Sequence, residues 1–237
     1  MLELFITGIE ENHNKKFITA GLAATMQGLG YSTGVYKPVA TGAKLINGIF
    51  QSPEIAFVKF MDPYIKTYIS YLLSGTENPL VAAVSEGRRI DPVEIIQDYQ
   101  SILNINEITL IEGTDGLSTP LGKDFLEEHL IKSLNLPLLF VVSPKRNSVN
   151  NVIMAINHAV SADIEVRGVV INDYPENTKD TNIKYLPRMI EEYTETKVLG
   201  VLSTMHVNIN PDELISHILT SMDIEAILKM KIAKLEL

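Results

Sequence analysis

The 237 residues are 46% hydrophobic, enough apolar content to bury a full core, and one domain spanning 1–237 is expected. A formal charge of −9 argues against a nucleic-acid partner, whose phosphates need a basic surface, and the absence of cysteine excludes disulfides, thiolate zinc sites and cysteine nucleophiles. The longest apolar run, Leu136 to Val142, falls well short of the roughly 20 residues that span a bilayer, and no basic or apolar leader precedes Glu10, so a cytoplasmic protein without a membrane partner is expected.

Leu2 to Thr7 reads as a buried strand that stops at Gly8 and passes through polar residues into a cationic helix start at Lys15 and Lys16. Such a strand, loop and helix hold phosphate, because backbone N–H groups and the helix N-terminus point at the anion while a lysine neutralises it. Two positions depart from the pattern. Asn14 takes the place of a second glycine, which asparagine's tolerance of left-handed backbone permits, with its side chain crowding the phosphate. Lys16 takes the place of a hydroxyl that would bind magnesium and is expected to put a positive charge where the metal would sit.

The helix that follows ends at Gly28 and Gly30, and Tyr31 to Val35 is the next strand, leading into Tyr36-Lys37-Pro38-Val39-Ala40-Thr41-Gly42. Taken alone, Lys37 is a surface lysine before a loop proline; beside a phosphate loop it is a cation at the ligand edge of an α/β sheet. Ser52, Pro53 and Glu54 open a helix, with Glu54 complementing the helix dipole. The tyrosine-bearing stretch from Asp62 to Asn78 reads as a loop with short helical turns, and Asp91-Pro92 starts a helix that runs to about Leu103.

Glu107 to Glu112 is a strand whose final carboxylate is either a magnesium ligand or a solvent-facing acid. A helix is expected over Gly122 to Leu134, then a central strand over Leu136 to Val142, a helix over Val152 to Val160 and a strand over Glu165 to Ile171. Lys179 to Tyr193 is helical with Pro187 marking a kink or restart, Val198 to Leu202 is the last strand, and a helix capped by Asn210 runs to Leu237. The alternation gives an α/β fold, doubly wound, with a mainly parallel sheet flanked by helices. Five histidines lack metal spacing; only His13 lies in the phosphate loop.

Thr7-Gly8, Asn14-Lys15-Lys16, Tyr36 to Gly42, Glu112-Gly113 and Pro120-Leu121 together make most of the chain resemble the dethiobiotin synthetases, P-loop NTPase-like, ATP-dependent enzymes of biotin synthesis. The resemblance implies ATP held by Gly8, Glu11, Asn12, His13, Asn14, Lys15, Lys16 and Phe17, with Asn172 on adenine. It implies Lys15 on the γ-phosphate, Lys37 between that phosphate and a substrate carbamate, and Glu54 and Glu112 on Mg²⁺. Thr41 would contact 7,8-diaminopelargonate, which reacts with carbon dioxide, and Asn150 would contribute to the substrate site near the two-fold axis of a homodimer. Two alternatives stand beside this: a relative that has lost turnover and binds a ligand or partner, and another ligase of the superfamily that activates carboxylates.

Overall fold

The computed structural model describes residues 1–10, 14–206 and 208–232. The chain runs β1 (Leu2–Thr7), α1 (Lys15–Gly28), β2 (Thr33–Ala40), β3 (Lys44–Ile46), β4 (Ile49–Gln51), α2 (Pro53–Met61), β5 (Lys66–Leu72), α3 (Pro79–Ser85), α4 (Pro92–Ile102) and β6 (Ile108–Glu112). It continues through β7 (Pro120–Gly122), β8 (Phe125–Leu126), α5 (Glu127–Leu134), β9 (Leu138–Val142), α6 (Val149–Ser161), β10 (Val166–Tyr174), α7 (Thr181–Thr194), β11 (Val198–Ser203), α8 (Pro211–Ser221) and α9 (Ile224–Leu228).

Seven strands form one sheet in the order β11-β10-β9-β1-β6-β2-β5, and every neighbouring pair is parallel. Alternate side chains feed two cores, as a sheet covered on both faces requires. Phe5, Ile111, Phe140 and Ile171 join one core with Ile95, Ile131, Ile156 and Ile190 of α4, α5, α6 and α7. Leu4, Ile6, Leu110 and Val141 join the other with Ile18, Val58 and Ile218 of α1, α2 and α8. The expected doubly wound architecture is therefore present.

Several elements differ from the sequence reading, which contains neither the hairpin β3–β4 nor helix α3. The Asp62 to Asn78 stretch contains the edge strand β5 rather than helical turns. The second strand runs on through Pro38 to Ala40, because its last pair with β6 is Tyr36 with Ile111; beyond it the missing N–H of Pro38 leaves only the β5 side to satisfy. The helix expected from Gly122 starts at Glu127, after the hairpin β7–β8. The C-terminal helix breaks at Met222, whose extended backbone bridges to Gly200, and Asp223 caps the short α9. Helix α7 runs through Pro187 as one element. Residues 233–237 of the expected final helix lie outside the described residues.

Candidate functional site

The carboxyl edge of the sheet gathers the ends of β1, β2 and β6. Register puts Ile6 beside Glu112, and Tyr36 beside Ile111, so Gly8, Lys37 and Glu112 emerge at one level. There Lys37 and Glu112 border a cavity of about 410 Å³, also lined by Lys15, Lys16, Thr41, Gly42, Lys44, Glu54, Glu77, Thr114 and Asp115 among others. Six of the residues singled out from sequence thus share one wall: Lys15, Lys16, Lys37, Thr41, Glu54 and Glu112.

Lys37 is 5% exposed and donates from Nζ to Glu112 Oε1 at 2.9 Å and to the Gly113 carbonyl oxygen at 3.3 Å. Burial works to lower the Lys37 pKa, but Glu112, with Glu54 behind it, carries it above the usual lysine value. Burial likewise opposes ionisation of Glu112, and Lys37 and Lys15 overcome it to hold the carboxyl below its usual range. Both directions describe a charged pair. Removing one partner would strand the other's charge in the interior, at a cost of about 3–5 kcal/mol.

Lys15, also buried, is pushed below the usual lysine range by burial and then by Lys37. The negative charge of an arriving phosphate would oppose both effects, which suits a group that meets anionic ligand. Lys16 lines the same cavity. Its ammonium lies 5.2 Å from the ring centre of Phe57 on α2 and 5.5 Å from that of Phe17, two rings packed edge to face. A contact of this kind contributes about 0.5–1 kcal/mol at an exposed site. Asn14 caps α1 in right-handed backbone, φ −88°, so no left-handed tolerance is needed. Phe17 is a core residue of α1.

Glu11, Asn12 and His13 lie outside the described residues. Asn172 is buried; its Nδ2 donates to the Asn14 carbonyl oxygen at 3.1 Å, while Oδ1 has no protein partner. The structure therefore ties the end of β10 to the start of α1 through Asn172. Asn150 is exposed at the start of α6, outside the cavity lining, with its Nδ2 3.3 Å from Met154 Sδ.

Sequence reading missed Glu127. At the first turn of α5 it is 1% exposed and accepts hydrogen bonds from Thr7 Oγ1 and from Thr114 through both N and Oγ1, tying the end of β1 to the loop after β6. Gly113 must be glycine here, since a Cβ would meet Phe5 at 2.6 Å and Glu127 Oε1 at 2.7 Å. A helix starting at Gly122 would place Glu127 in its middle rather than at its first turn. Its signal would have been the helix break.

Among the described residues no group of three or more His, Asp or Glu side chains is arranged around a metal ion. Magnesium does not require one, because it is held by one or two carboxylates together with substrate phosphates and water. Glu54 and Glu112 fit that role on the wall shared with the lysines.

A family model described as "AAA domain" matches residues 3–212. The ATP-dependent dethiobiotin synthetase BioD of Bacillus subtilis (strain 168) is 30% identical over 207 residues, covering 85% of this chain and 87% of that protein. The chain belongs to the dethiobiotin synthetase family. Its BioD relative from Anoxybacillus flavithermus is 30% identical over 210 residues, covering 86% of this chain and 93% of that protein. Among solved structures, the MinC:MinD cell division protein complex of Aquifex aeolicus matches with a TM-score of 0.56 at 13% identity, over 96% of this chain and 93% of that one, which is a likeness of fold. The P-loop NTPase-like architecture of the family is thus present, and no described helix is long and apolar enough to cross a membrane.

Proposed function

We propose that the chain catalyses the ATP-dependent carboxylation and ring closure of 7,8-diaminopelargonate to dethiobiotin. The observation that carries this reading is the meeting of Lys15, Lys37, Glu54, Glu112 and Thr41 in one cavity at the carboxyl edge of the sheet. One substrate amine adds to carbon dioxide to give a carbamate, whose oxygen attacks the γ-phosphorus of ATP as ADP leaves. The second amine then attacks the carbamoyl carbon, phosphate departs, a proton is released and the ureido ring closes.

Such a reaction asks the protein mainly to position the reactants and neutralise charge. Lys15 takes the γ-phosphate and Lys37 sits between it and the carbamate. Thr41 contacts the diamine, and Asn172, joined to the phosphate loop through the Asn14 carbonyl oxygen, recognises the adenine amino group. Magnesium, held by Glu54 and Glu112, would add charge neutralisation at the transferring phosphoryl group. The chain acts as a homodimer, with Asn150 near the two-fold axis.

A second reading, a relative that binds ligand or partner without turnover, is favoured by the missing hydroxyl at Lys16. The test is conversion of diaminopelargonate in the presence of ATP, bicarbonate and Mg²⁺. Formation of dethiobiotin that falls by roughly a hundredfold or more in Lys37→Ala supports the enzyme. ATP binding without product would support the second reading.

A further inference from the structure

Lys16 has an unusual situation for a lysine at a phosphate-loop helix. Its neighbour Lys15 is buried and Lys37 is locked to Glu112, yet Lys16 is half-buried on the same cavity wall and rests on the faces of Phe17 and Phe57. An aromatic face offers no hydrogen-bond acceptor of phosphate strength, so the perch is weak beside an anionic oxygen. The cavity wall carries four lysines and four carboxylates, Glu54, Glu77, Glu112 and Asp115. A triphosphate entering it would find Glu112 already committed to Lys37, and Lys16 without an ion pair among the described residues.

We propose that Lys16 is a movable phosphate cation: when nucleotide enters, its ammonium leaves the Phe17–Phe57 pair and takes a phosphate oxygen, so that nucleotide binding, as distinct from turnover, depends little on magnesium. The movement needs only rotation about the four-carbon stem, with α1 fixed by its packing in the core. The inference rests on the ATP reading above. It assigns Lys16 the phosphate contact that a hydroxyl-bound metal supplies elsewhere, and it leaves magnesium its place beside Glu54 and Glu112.

The experiment is calorimetric titration of the full chain with ATP, once in excess EDTA and once in millimolar MgCl₂, for wild type, Lys16→Met and Lys16→Thr. Wild type is expected to bind with affinities within about threefold of each other in the two buffers. Lys16→Met should lose roughly tenfold or more in EDTA, the size of one charge-assisted hydrogen bond. Lys16→Thr should bind poorly in EDTA and recover with Mg²⁺. Wild-type binding that vanishes in EDTA, or Lys16→Met binding there as tightly as wild type, overturns the proposal. Failure of ATP to bind any of the three in either buffer would instead overturn the nucleotide reading on which it rests.

Discussion

Glu127 carries its carboxyl into a fully buried site, where loss of water raises its pKa against the lowering pull of Thr114, Thr7 and Lys15. An acid whose pKa is raised by folding favours the native state most when protonated. That contribution is complete below the ordinary carboxylate range and is lost as pH rises through the raised folded value. Glu127→Gln keeps the neutral form at all pH, so its stability relative to wild type is expected to climb as pH rises above the ordinary carboxylate range, read from urea midpoints across a pH series. A difference that stays flat with pH would show that Glu127 is charged throughout. Lys37 and Glu112 were legible because each stands next to a proline or glycine at a strand end, and Lys15 because it opens a helix after the loop that begins at Gly8; Glu127 was not, since its burial depends on a hairpin with no period of its own. The place of Lys16 was likewise hidden, because Phe57 reaches it from another element.

The elements most readily read were those with two buried faces. Strands β1, β6 and β9 are short apolar runs between glycine, proline and asparagine signals, and the helix caps at Ser52, Asp91 and Asn210 all hold. Strand β5 escaped because it lies at the sheet edge with one neighbour and is half-buried along most of its length, so its side chains show no alternation. The helix that carries Lys15 and Lys16 is positioned by an equally local device. A Cβ at Gly21 would stand 2.6 Å from Ile218 Cγ1 and 3.2 Å from Leu214 Cγ, so α1 and α8 approach each other across a position that only hydrogen fits. Gly21→Ala gains up to about 1 kcal/mol of helix propensity but overpacks this contact by roughly 1–3 kcal/mol. A net loss of stability is expected in urea unfolding. Adding Ile218→Val removes the Cδ1 atom at 2.9 Å and should recover part of that loss, making the pair non-additive. Two independent, additive losses would mean that α8 simply shifts to make room.

At the scale of the whole molecule, a chain of net charge −9 brings four lysines to one cavity, where they balance the four carboxylates of the same wall, so that an anionic substrate meets a locally neutral surface rather than the global negative charge. The same edge of the sheet leads to α6, whose start is tied to the first loop by Asn151 Nδ2 donating to Glu10 Oε1 at 2.5 Å. On that helix Met154 is 62% exposed and Val160 55% exposed, beside the polar Asn150 and Asn157. A mixed surface of this kind, flanking the site entrance, suits a two-fold contact in which the same patch meets itself, and a stable interface needs about 800 Å² from each partner. The expected outcome of sedimentation velocity at micromolar concentration is a species of two chains. Met154→Asp would set two carboxylates near each other across the axis and should shift the protein toward the monomer while leaving its fold, read by circular dichroism, unchanged. A wild-type chain that sediments as a monomer at roughly a hundredfold higher concentration would remove Asn150 from the substrate site, because Asn150 lies outside the cavity lining of its own protomer and can serve a substrate only through a partner.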